Sequence, residues 1–573
     1  MQFVTTDPLS STHFLHVTQP STREPGALAE AAGGDARSEP ADRKGWTLAS
    51  LVRDGARNWP SQLAVSDGPT RLTFAELESV ATRVAVRLLE LGVAPGDRVA
   101  IAGEREAATL VALCGATLAG AIYVPLDPNQ PSDRLRLLLV DVGARVLIAP
   151  RALSLLQAEV AGLELMDIGH LLDAVEPSRE LVAPIELPNV APASVAYITF
   201  TSGSTGLPKG VQIQHDSIRA FFETHNERVG IAPGDRCLNS GPFYFDVSVL
   251  DVLLPLYAGA TVFFAGKIPI PTLMLEAIET HRITVFYAVG TLLALITGDG
   301  QRLDRFQLGS LRMLMTGAEV CNVRVVNEWL RRYPKLRFLN SYGPTEVTVG
   351  CISYLKPEPG PLTLPDCPIG LPHRGTRALL IGEEGVISEP GKMGELVLAG
   401  PQLMLGYWQR SLEDRRAWVW LRGEAYYRTG DFVYVDESGN FHFVGRLDDE
   451  VKLHGHRIHL NEVRRCFQSD PRIEVALVGM IEGRDTEREL AVGLLTKRRH
   501  DLRLALDFAK RAERSLPSAM RPTRLALLHT LPRLPSGKAN RDLVLQWMAS
   551  AVRAGNDSYF CQAAQGLEPL TIT

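Results

Sequence analysis

Cysteine is scarce and unpatterned. Seven residues (Cys114, Cys237, Cys321, Cys351, Cys367, Cys466 and Cys561) are scattered over 573 positions without a C-x-x-C pair. Such usage points to free thiols in a reducing cytoplasm rather than a disulfide framework. Charge of one sign is lacking too: 60 basic against 65 acidic side chains leave a net charge of −5. No strong attraction to nucleic acid or an anionic membrane follows from that balance. The N-terminus has no basic segment followed by an apolar one, so no secretory signal is read there. Long apolar runs are missing with one exception, the uncharged stretch Thr109–Leu126. It contains Gly115, Gly120 and Pro125 and flows into Asp127, which suits a buried helix and a core strand better than a membrane span. There is no internal repeat.

What is present is ordinary globular composition, 45% apolar and 22% charged, on a chain long enough for two or more domains. Residues 1–44 are rich in Pro, Ser, Thr, Ala and Gly and read as a disordered extension. Beyond Trp46, Leu77, Val80, Ala81, Val84, Ala85, Leu88 and Leu89 recur at helical spacing. Strand and helix patterns then alternate, with strands at Val99–Ala102, Ile122–Leu126, Val146–Ala149, Val195–Thr201, Thr284–Ala288 and Leu311–Thr316. That alternation predicts parallel sheets covered by helices. Near Ile369 the pattern changes to short strands and turns. From about Asp449 an α+β segment follows, and the tail after Ala549 carries little pattern. The expected organisation is a core over 45–447, a small mobile domain over 448–549, and a flexible tail over 550–573.

The densest chemistry lies at Tyr197–Val211, YITFTSGSTGLPKGV. A β-branched run stops at Thr201, Ser202, Gly203, Ser204, Thr205 and Gly206, and Lys209 follows. Glycines let backbone N–H groups approach a ligand closely, and hydroxyls and a lysine add donors, as a polyphosphate requires. The spacing is not that of a P-loop NTPase. Read alone, such a loop also suits a flexible connector.

The segment resembles the phosphate loop of the adenylate-forming superfamily: acyl-CoA synthetases, luciferases and the adenylation domains of nonribosomal peptide synthesis. Further segments resemble that family in order. Asn340-Ser341-Tyr342-Gly343-Pro344-Thr345-Glu346 is similar to its adenine and α-phosphate segment. The resemblance implies that Tyr342 stacks on adenine, Thr345 contacts the α-phosphate and Glu346 helps to hold Mg2+. Gly317-Ala318-Glu319 would line the adenine pocket, with Asn340 and Gly343 nearby. Asp431, in Tyr427-Arg428-Thr429-Gly430-Asp431, would accept from the ribose hydroxyls. Gly445-Arg446-Leu447-Asp448 resembles the hinge, with Arg446 on the ATP side and Asp448 absorbing the rotation. Gly394-Glu395-Leu396 and Gly406-Tyr407-Trp408 also occur in family order. The chain departs from the pattern at Glu450, where Gln is usual, and at His459 and Asn461, where Glu and Gly are usual. His454, His456 and His459 lack carboxylate or cysteine partners at ligand spacing and read as a surface β-hairpin, not a metal site.

Leu534-Pro535-Ser536-Gly537-Lys538 is similar to the family turn whose lysine is catalytic. A carboxylate must attack the α-phosphorus of ATP, and a cation bridging the two anions offsets that charge. Lys538 is the catalytic candidate, with Thr345 and the hairpin residue Lys452 beside it. Phe245-Asp246-Val247-Ser248 bears on the substrate. Amino-acid-activating members carry an aspartate here that pairs with the ammonium group, and Asp246 occupies that place; an Asp capping the following helix is the structural alternative. By resemblance the pocket is lined by Val247, Leu250, Tyr287, Met315, Gly317, Ser341, Val349 and Gly350. It brings no second charge, which suits a small or medium neutral amino acid, alanine-like by the Lys452-Leu453-His454-Gly455 stretch.

The implied fold is α/β: a large N-terminal domain with two helix-covered sheets and a small β-barrel part, then a small mobile α+β domain. The implied activity is ATP- and Mg2+-dependent formation of aminoacyl-AMP, followed by loading of the phosphopantetheine thiol of a carrier protein. No carrier, condensation or thioesterase motif is read after Met548, so the carrier is expected as a separate chain, with a small activator protein as an optional partner. Three alternatives stay open: an acyl- or aryl-CoA synthetase, a β-amino acid adenylating enzyme, and a non-catalytic ligand-binding homologue.

Overall fold

Thr73 and Glu76 open the helix Phe74–Glu90 with a reciprocal capping box. The Thr73 hydroxyl accepts from the Glu76 N–H at 3.3 Å, and the Glu76 carboxylate accepts from the Thr73 N–H at 2.8 Å. Its apolar face (Leu77, Val80, Ala81, Val84, Ala85 and Leu88) is buried, as the periodicity predicts. Gly115 brings the helix Ala107–Leu118 directly against that face, since a Cβ there would come within 2.4 Å of Val84 Cγ1. Every residue of that helix and of the strand Ile122–Leu126 is buried, so the uncharged run is core. Among the described residues no helix is long and apolar enough to cross a membrane.

The protein is represented by a computed structural model that describes residues 45–172, 186–201, 208–266, 270–298, 300–364, 366–446, 450–470, 472–483, 487–496, 502–532, 540–553, 559–563 and 566–569. The expected extension over 1–44 lies outside them.

Two sheets dominate the described residues. In the seven-stranded one, Glu164–Asp167, Ala144–Ala149, Arg98–Ala102, Ile122–Leu126 and Val195–Thr201 run parallel, and Lys209–Gln214 returns antiparallel. The nine-stranded sheet has a parallel centre of Leu63–Ser66, Thr261–Phe264, Arg236–Asn239, Val285–Tyr287, Met313–Gly317 and Arg337–Tyr342. Strands in such centres are covered on both faces, and those of Thr261–Phe264 and Met313–Gly317 are buried throughout. A six-stranded antiparallel sheet between Arg377 and Arg446 forms the small barrel-like part.

The C-terminal segment has its own core, with Ile458, Phe467, Val478, Val492, Phe508 and Leu527 among its buried residues. The helix Leu460–Gln468 meets the helix Ser132–Val142 through an ion pair between Glu462 and Arg134 at 2.5 Å. One expectation is corrected here. The chain after Ala549 is not a patternless tail: the helix Arg541–Arg553 runs on, and Tyr559–Ala563 and Gly566–Pro569 complete a five-stranded sheet. Tyr559–Ala563 pairs parallel with Arg524–Leu528, and Phe560 is fully buried beside Val544, Met548 and Val552. Two strands of four or five residues are too short to show a period, so the burial of one aromatic carries the signal.

Candidate active site

Three adjacent parallel strands end in candidate residues. Tyr287 pairs with Met315, and Gly317 pairs with Ser341 on the next strand. Ligands of open α/β sheets bind at such carboxyl ends. Gly317 is required there, because a Cβ would lie 2.4 Å from the Ser341 carbonyl oxygen and 3.3 Å from the Tyr287 hydroxyl. Asp246 is half-buried in the loop preceding the π-helix Val249–Leu253. Burial raises the Tyr287 hydroxyl pKa well above its usual range, and the Asp246 charge adds to that shift. Tyr197 is raised as well, by burial, then Tyr123, then Asp246. Asp246 therefore lies within electrostatic reach of both sheets. Val247 and Leu250 are buried on its own segment.

Val349 and Gly350 sit on a strained loop. Thr348 and Val349 have φ of 49° and 66°, a region β-branched residues rarely enter, at a cost on the order of 1–3 kcal/mol each. Gln402 holds the loop: its carbonyl accepts from the Thr348 hydroxyl at 2.7 Å, and its Nε2 donates to the Gly350 carbonyl at 2.9 Å. Gly343 is enclosed by the same loop, as a Cβ there would meet the Val349 carbonyl oxygen at 2.5 Å.

A second group gathers around Asp431. The antiparallel register slips between Glu395 and Val397, a bulge that re-aims the Thr429–Asp431 corner. The Arg428 guanidinium pairs with Glu395 at 2.5 Å, and the Thr429 hydroxyl donates to the Leu396 carbonyl at 2.7 Å. Asp431 is 1% exposed and accepts from the Tyr342 hydroxyl and from Arg446 Nη1, the latter at 2.5 Å. Burial and the neighbouring Asp431 raise the Tyr342 pKa well above its usual range. Lys452 Nζ lies 5.6 Å from the Tyr342 ring centre and 6.0 Å from that of Phe443. The Asn340 side chain donates to the Pro368 carbonyl at 2.8 Å.

A third group joins the phosphate-loop flanks to Glu346. Thr201 and Lys209 pair across the hairpin, and Lys209 Nζ lies 4.4 Å from the Tyr407 ring centre. The Tyr407 hydroxyl donates to Glu346 Oε1 at 2.7 Å. Glu346 is wholly buried, and Thr345 begins the same short 3-10 turn, Thr345–Val347.

The hairpin Glu450–Leu453 / His456–His459 forms as expected, but it is not a surface hairpin. Its turn is docked: the Gly455 N–H donates to Glu319 Oε1 at 2.7 Å, and the His456 ring meets Phe245 edge-on at 4.5 Å. Burial and His454 push His456 down to about 4. Glu319 also accepts from the Thr291 hydroxyl at 2.9 Å, and Ala318 before it has φ of 63°. Ser202, Gly203, Ser204, Thr205, Gly206, Asp448 and Lys538 lie outside the described residues. Sequence reading missed Gln402, Phe443 and the bridging part of Tyr407, because each acts on a partner distant in the chain. Among the described residues no three His, Cys, Asp or Glu side chains cluster as a metal site.

Parallel strands ending at a strained polar loop, with an antiparallel sheet and a docked hairpin beside them, make a two-part α/β architecture whose carboxyl strand ends are where such sheets bind ligands. The AMP-binding enzyme family matches residues 52–408, and the chain belongs to it: it is an adenylate-forming ligase. The chain is 31% identical over 492 residues to an L-proline--[L-prolyl-carrier protein] ligase of Pseudomonas fluorescens, covering 84% of this chain and 95% of that one. It is also 31% identical to a plipastatin synthase polypeptide of Bacillus subtilis, spanning 87% of itself but only 14% of that protein. Among solved structures, a holo NRPS protein containing adenylation and PCP domains aligns with a TM-score of 0.74 at 28% identity, over 87% of this chain and 84% of that one. The o-succinylbenzoate CoA synthetase of Bacillus subtilis shares the fold at a TM-score of 0.74 and 23% identity, over 86% of this chain and 97% of that one.

Proposed function

We propose that the enzyme activates a small neutral amino acid, alanine-like in size, as its aminoacyl-AMP and passes it to the phosphopantetheine thiol of a carrier protein. The observation that carries this reading is Asp246, half-buried and within electrostatic reach of Tyr287, which ends its strand of the nine-stranded sheet, and of Tyr197 on the seven-stranded one. A carboxylate there suits a substrate ammonium, and an acid lacking the amine would leave it unpaired and desolvated. Similarity to a carrier-protein ligase along 95% of that protein's length supports a carrier protein as the acceptor.

In this reading Tyr342, Asp431 and Arg446 hold the nucleoside, and Thr201 to Gly206 with Lys209 hold the phosphates of ATP. Lys538 bridges the attacking carboxylate and the α-phosphate, offsetting charge that builds on the phosphoryl oxygens; one such donor is worth about 3–4 kcal/mol. Glu346, a buried carboxylate with a hard oxygen donor, fits Mg2+ by donor type, and the ion would neutralise phosphate charge. Asp448 serves as the hinge between half-reactions.

The test is amino-acid-dependent ATP–pyrophosphate exchange across α-, β- and D-amino acids and simple carboxylic acids. Lys538→Ala and Asp246→Ala run beside the parent. Exchange with one small amino acid, lost in both variants, is expected. Exchange only with amine-free acids would replace this reading with a CoA ligase.

A further inference from the structure

Arg134 and Glu462 meet at 2.5 Å across the seam between the core and the C-terminal segment, with side chains only 13% and 3% exposed. Arg134 lies in the first turn of the helix Ser132–Val142, whose Leu135, Leu138 and Leu139 pack on the seven-stranded sheet. Glu462 lies in the first turn of the helix Leu460–Gln468. The pair is under-bonded. Arg134 Nε and Glu462 Oε2 are buried and have no hydrogen-bond partner among the described residues. Buried charges that only hold a fold together are normally hydrogen-bonded throughout, because each lone polar atom costs desolvation. Burial raises the Glu462 pKa against the pull of Arg134.

A second charge contact lies on the same seam. Asp127 is buried directly after the strand Ile122–Leu126, and the Arg521 charge from the C-terminal segment opposes the rise that burial gives its pKa. Arg521 is itself fixed, donating to the Leu516 carbonyl at 3.0 Å and the Glu513 carbonyl at 3.1 Å. The polarity alternates: at one point the core supplies the cation, at the other the anion. Such alternation favours one docking register and makes a shifted one repulsive. Glu462 is also tied to the hairpin. The strand His456–His459 runs directly into the helix Leu460–Gln468, and Leu453, Ile458, Leu460 and Val463 share one core. Glu462 thus sits within one helical turn, about 5.4 Å of rise, of the hairpin whose Gly455 docks on Glu319.

We infer that Arg134 and Glu462 are positioning residues: their ion pair latches the C-terminal segment in the orientation that docks the hairpin, and so sets the balance between thioester and adenylate formation. The inference rests on the proposed function, in which the segment turns about Asp448 between half-reactions, and neither residue belongs to the nucleotide or amino acid site of that reading. An ion pair suits a contact that must open as well as close. Desolvation nearly offsets its attraction, so closing gains little net, and both groups return to water when the surfaces part. Removing one partner is different. The other is then buried and uncompensated only while the hairpin is docked, so the docked orientation alone is penalised.

The experiment measures ATP–pyrophosphate exchange and single-turnover transfer to free pantetheine, using whichever acid best drives exchange in the parent. Arg134→Gln, Glu462→Gln, the double variant and Arg134→Lys are compared, with melting curves alongside. Arg134→Gln should lower transfer about tenfold or more while exchange stays within about twofold of the parent or rises. Arg134→Lys should keep transfer within about threefold, since the contact is one N–H···O bond that an ammonium also makes. The double variant should transfer at least as well as Arg134→Gln, because no carboxylate is left unpaired. Glu462→Gln should move both steps in the same directions, and it stands in if Arg134→Gln shows no cooperative melting transition. A contact that only held the fold together would lower both steps alike. Equal losses in the two steps, unchanged transfer in whichever single variants fold, or a double loss equal to the product of the single losses overturns the inference and leaves amino acid activation standing. Exchange with amine-free acids alone overturns the proposed function, and the ratio of the two steps across the variants then still decides the latch.

Discussion

The backbone N–H of Gly455 donates to Oε1 of Glu319 at 2.7 Å, fastening the hairpin turn to the loop that follows the strand Met313–Gly317. Gly455 has φ of 79°, and a Cβ there would lie 3.1 Å from Val289 Cγ1, so both backbone and space favour glycine. Proline cannot adopt that φ and has no N–H. Under the proposed function, the docked hairpin belongs to the thioester half-reaction. Gly455→Pro should lower carrier loading roughly ten- to hundredfold, the worth of one hydrogen bond to a charged acceptor, about 1.5–3 kcal/mol. Pyrophosphate exchange should fall less than about threefold on the same scale. Single-turnover loading with holo-carrier protein separates the two; equal losses in both assays would sink the assignment.

Tyr407 makes a sharper test of the buried carboxylate. Its hydroxyl donates to Glu346 at 2.7 Å while its ring faces Lys209 at 4.4 Å. Tyr407→Phe removes that bond and the weaker one the same hydroxyl accepts from Lys209 Nζ at 3.4 Å, and keeps the ring beside the Lys209 ammonium. Leaving a buried carboxylate oxygen without that donor costs about 1–3 kcal/mol, so the variant should melt several degrees lower. Exchange should fall at limiting Mg2+ and recover in part as Mg2+ rises. A variant indistinguishable from the parent by calorimetry and by Mg2+ titration would show that the bond does not matter.

Much of this was legible in the sequence, for reasons that differ by element. The helix Phe74–Glu90 shows because one face is wet and one dry, and the capping box marks its start. The helix Ala107–Leu118 has no wet face at all, so it shows as an uncharged run rather than as a period. The candidate site was legible where neighbouring residues act together, as in Asn340 to Glu346. It was not legible where partners are far apart, as with Gln402 on Gly350 or Tyr407 on Glu346. The π-helix Val249–Leu253 leaves no trace either, since its wider backbone hydrogen bonding calls for no special residue type.

Histidine burial sets an acid limit on stability. His215 accepts from the Leu48 N–H through Nδ1 at 3.2 Å, tying the start of the helix Leu48–Asn58 to the core. Burial lowers its pKa from 6.5 to about 4. With the folded value below the unfolded one, the unfolded chain takes up the proton first. The His215 contribution to stability therefore declines as pH falls from about 6.5 towards 4, by about 1.4 kcal/mol per pH unit once pH is well below 6.5, and levels off below 4. His215→Gln, which keeps an acceptor without titrating, should flatten the curve of unfolding free energy against pH by that slope. Parallel curves for parent and variant between pH 6 and pH 4.5 would rule the account out.

Arg446 and Glu450 straddle the expected hinge, and their contact sets how firmly the hairpin is held. Arg446 ends the strand Phe441–Arg446 and Glu450 begins Glu450–Leu453; Arg446 Nε lies 3.3 Å from Glu450 Oε1 while Nη1 pairs with Asp431 at 2.5 Å. One buried guanidinium thus faces two buried carboxylates, and Glu450 stands where the family usually has glutamine. The second carboxylate has two opposing effects. It strengthens the clip across the hinge, and it adds a buried charge whose desolvation opposes that gain. Glu450→Gln keeps the shape and removes the charge. Global stability should then change by less than about 1 kcal/mol, since lost attraction and recovered desolvation nearly cancel. The clip itself weakens, so the hairpin leaves its docked position more readily. Exchange should hold or rise up to about threefold while carrier loading falls three- to tenfold, a shift of about 1 kcal/mol in the balance between half-reactions. Combined with Gly455→Pro, the loading defect should be smaller than the sum of the two single defects, because both act on the same docked hairpin. Full additivity would place Glu450 outside the docking equilibrium and assign its charge to the nucleotide side of Arg446 instead.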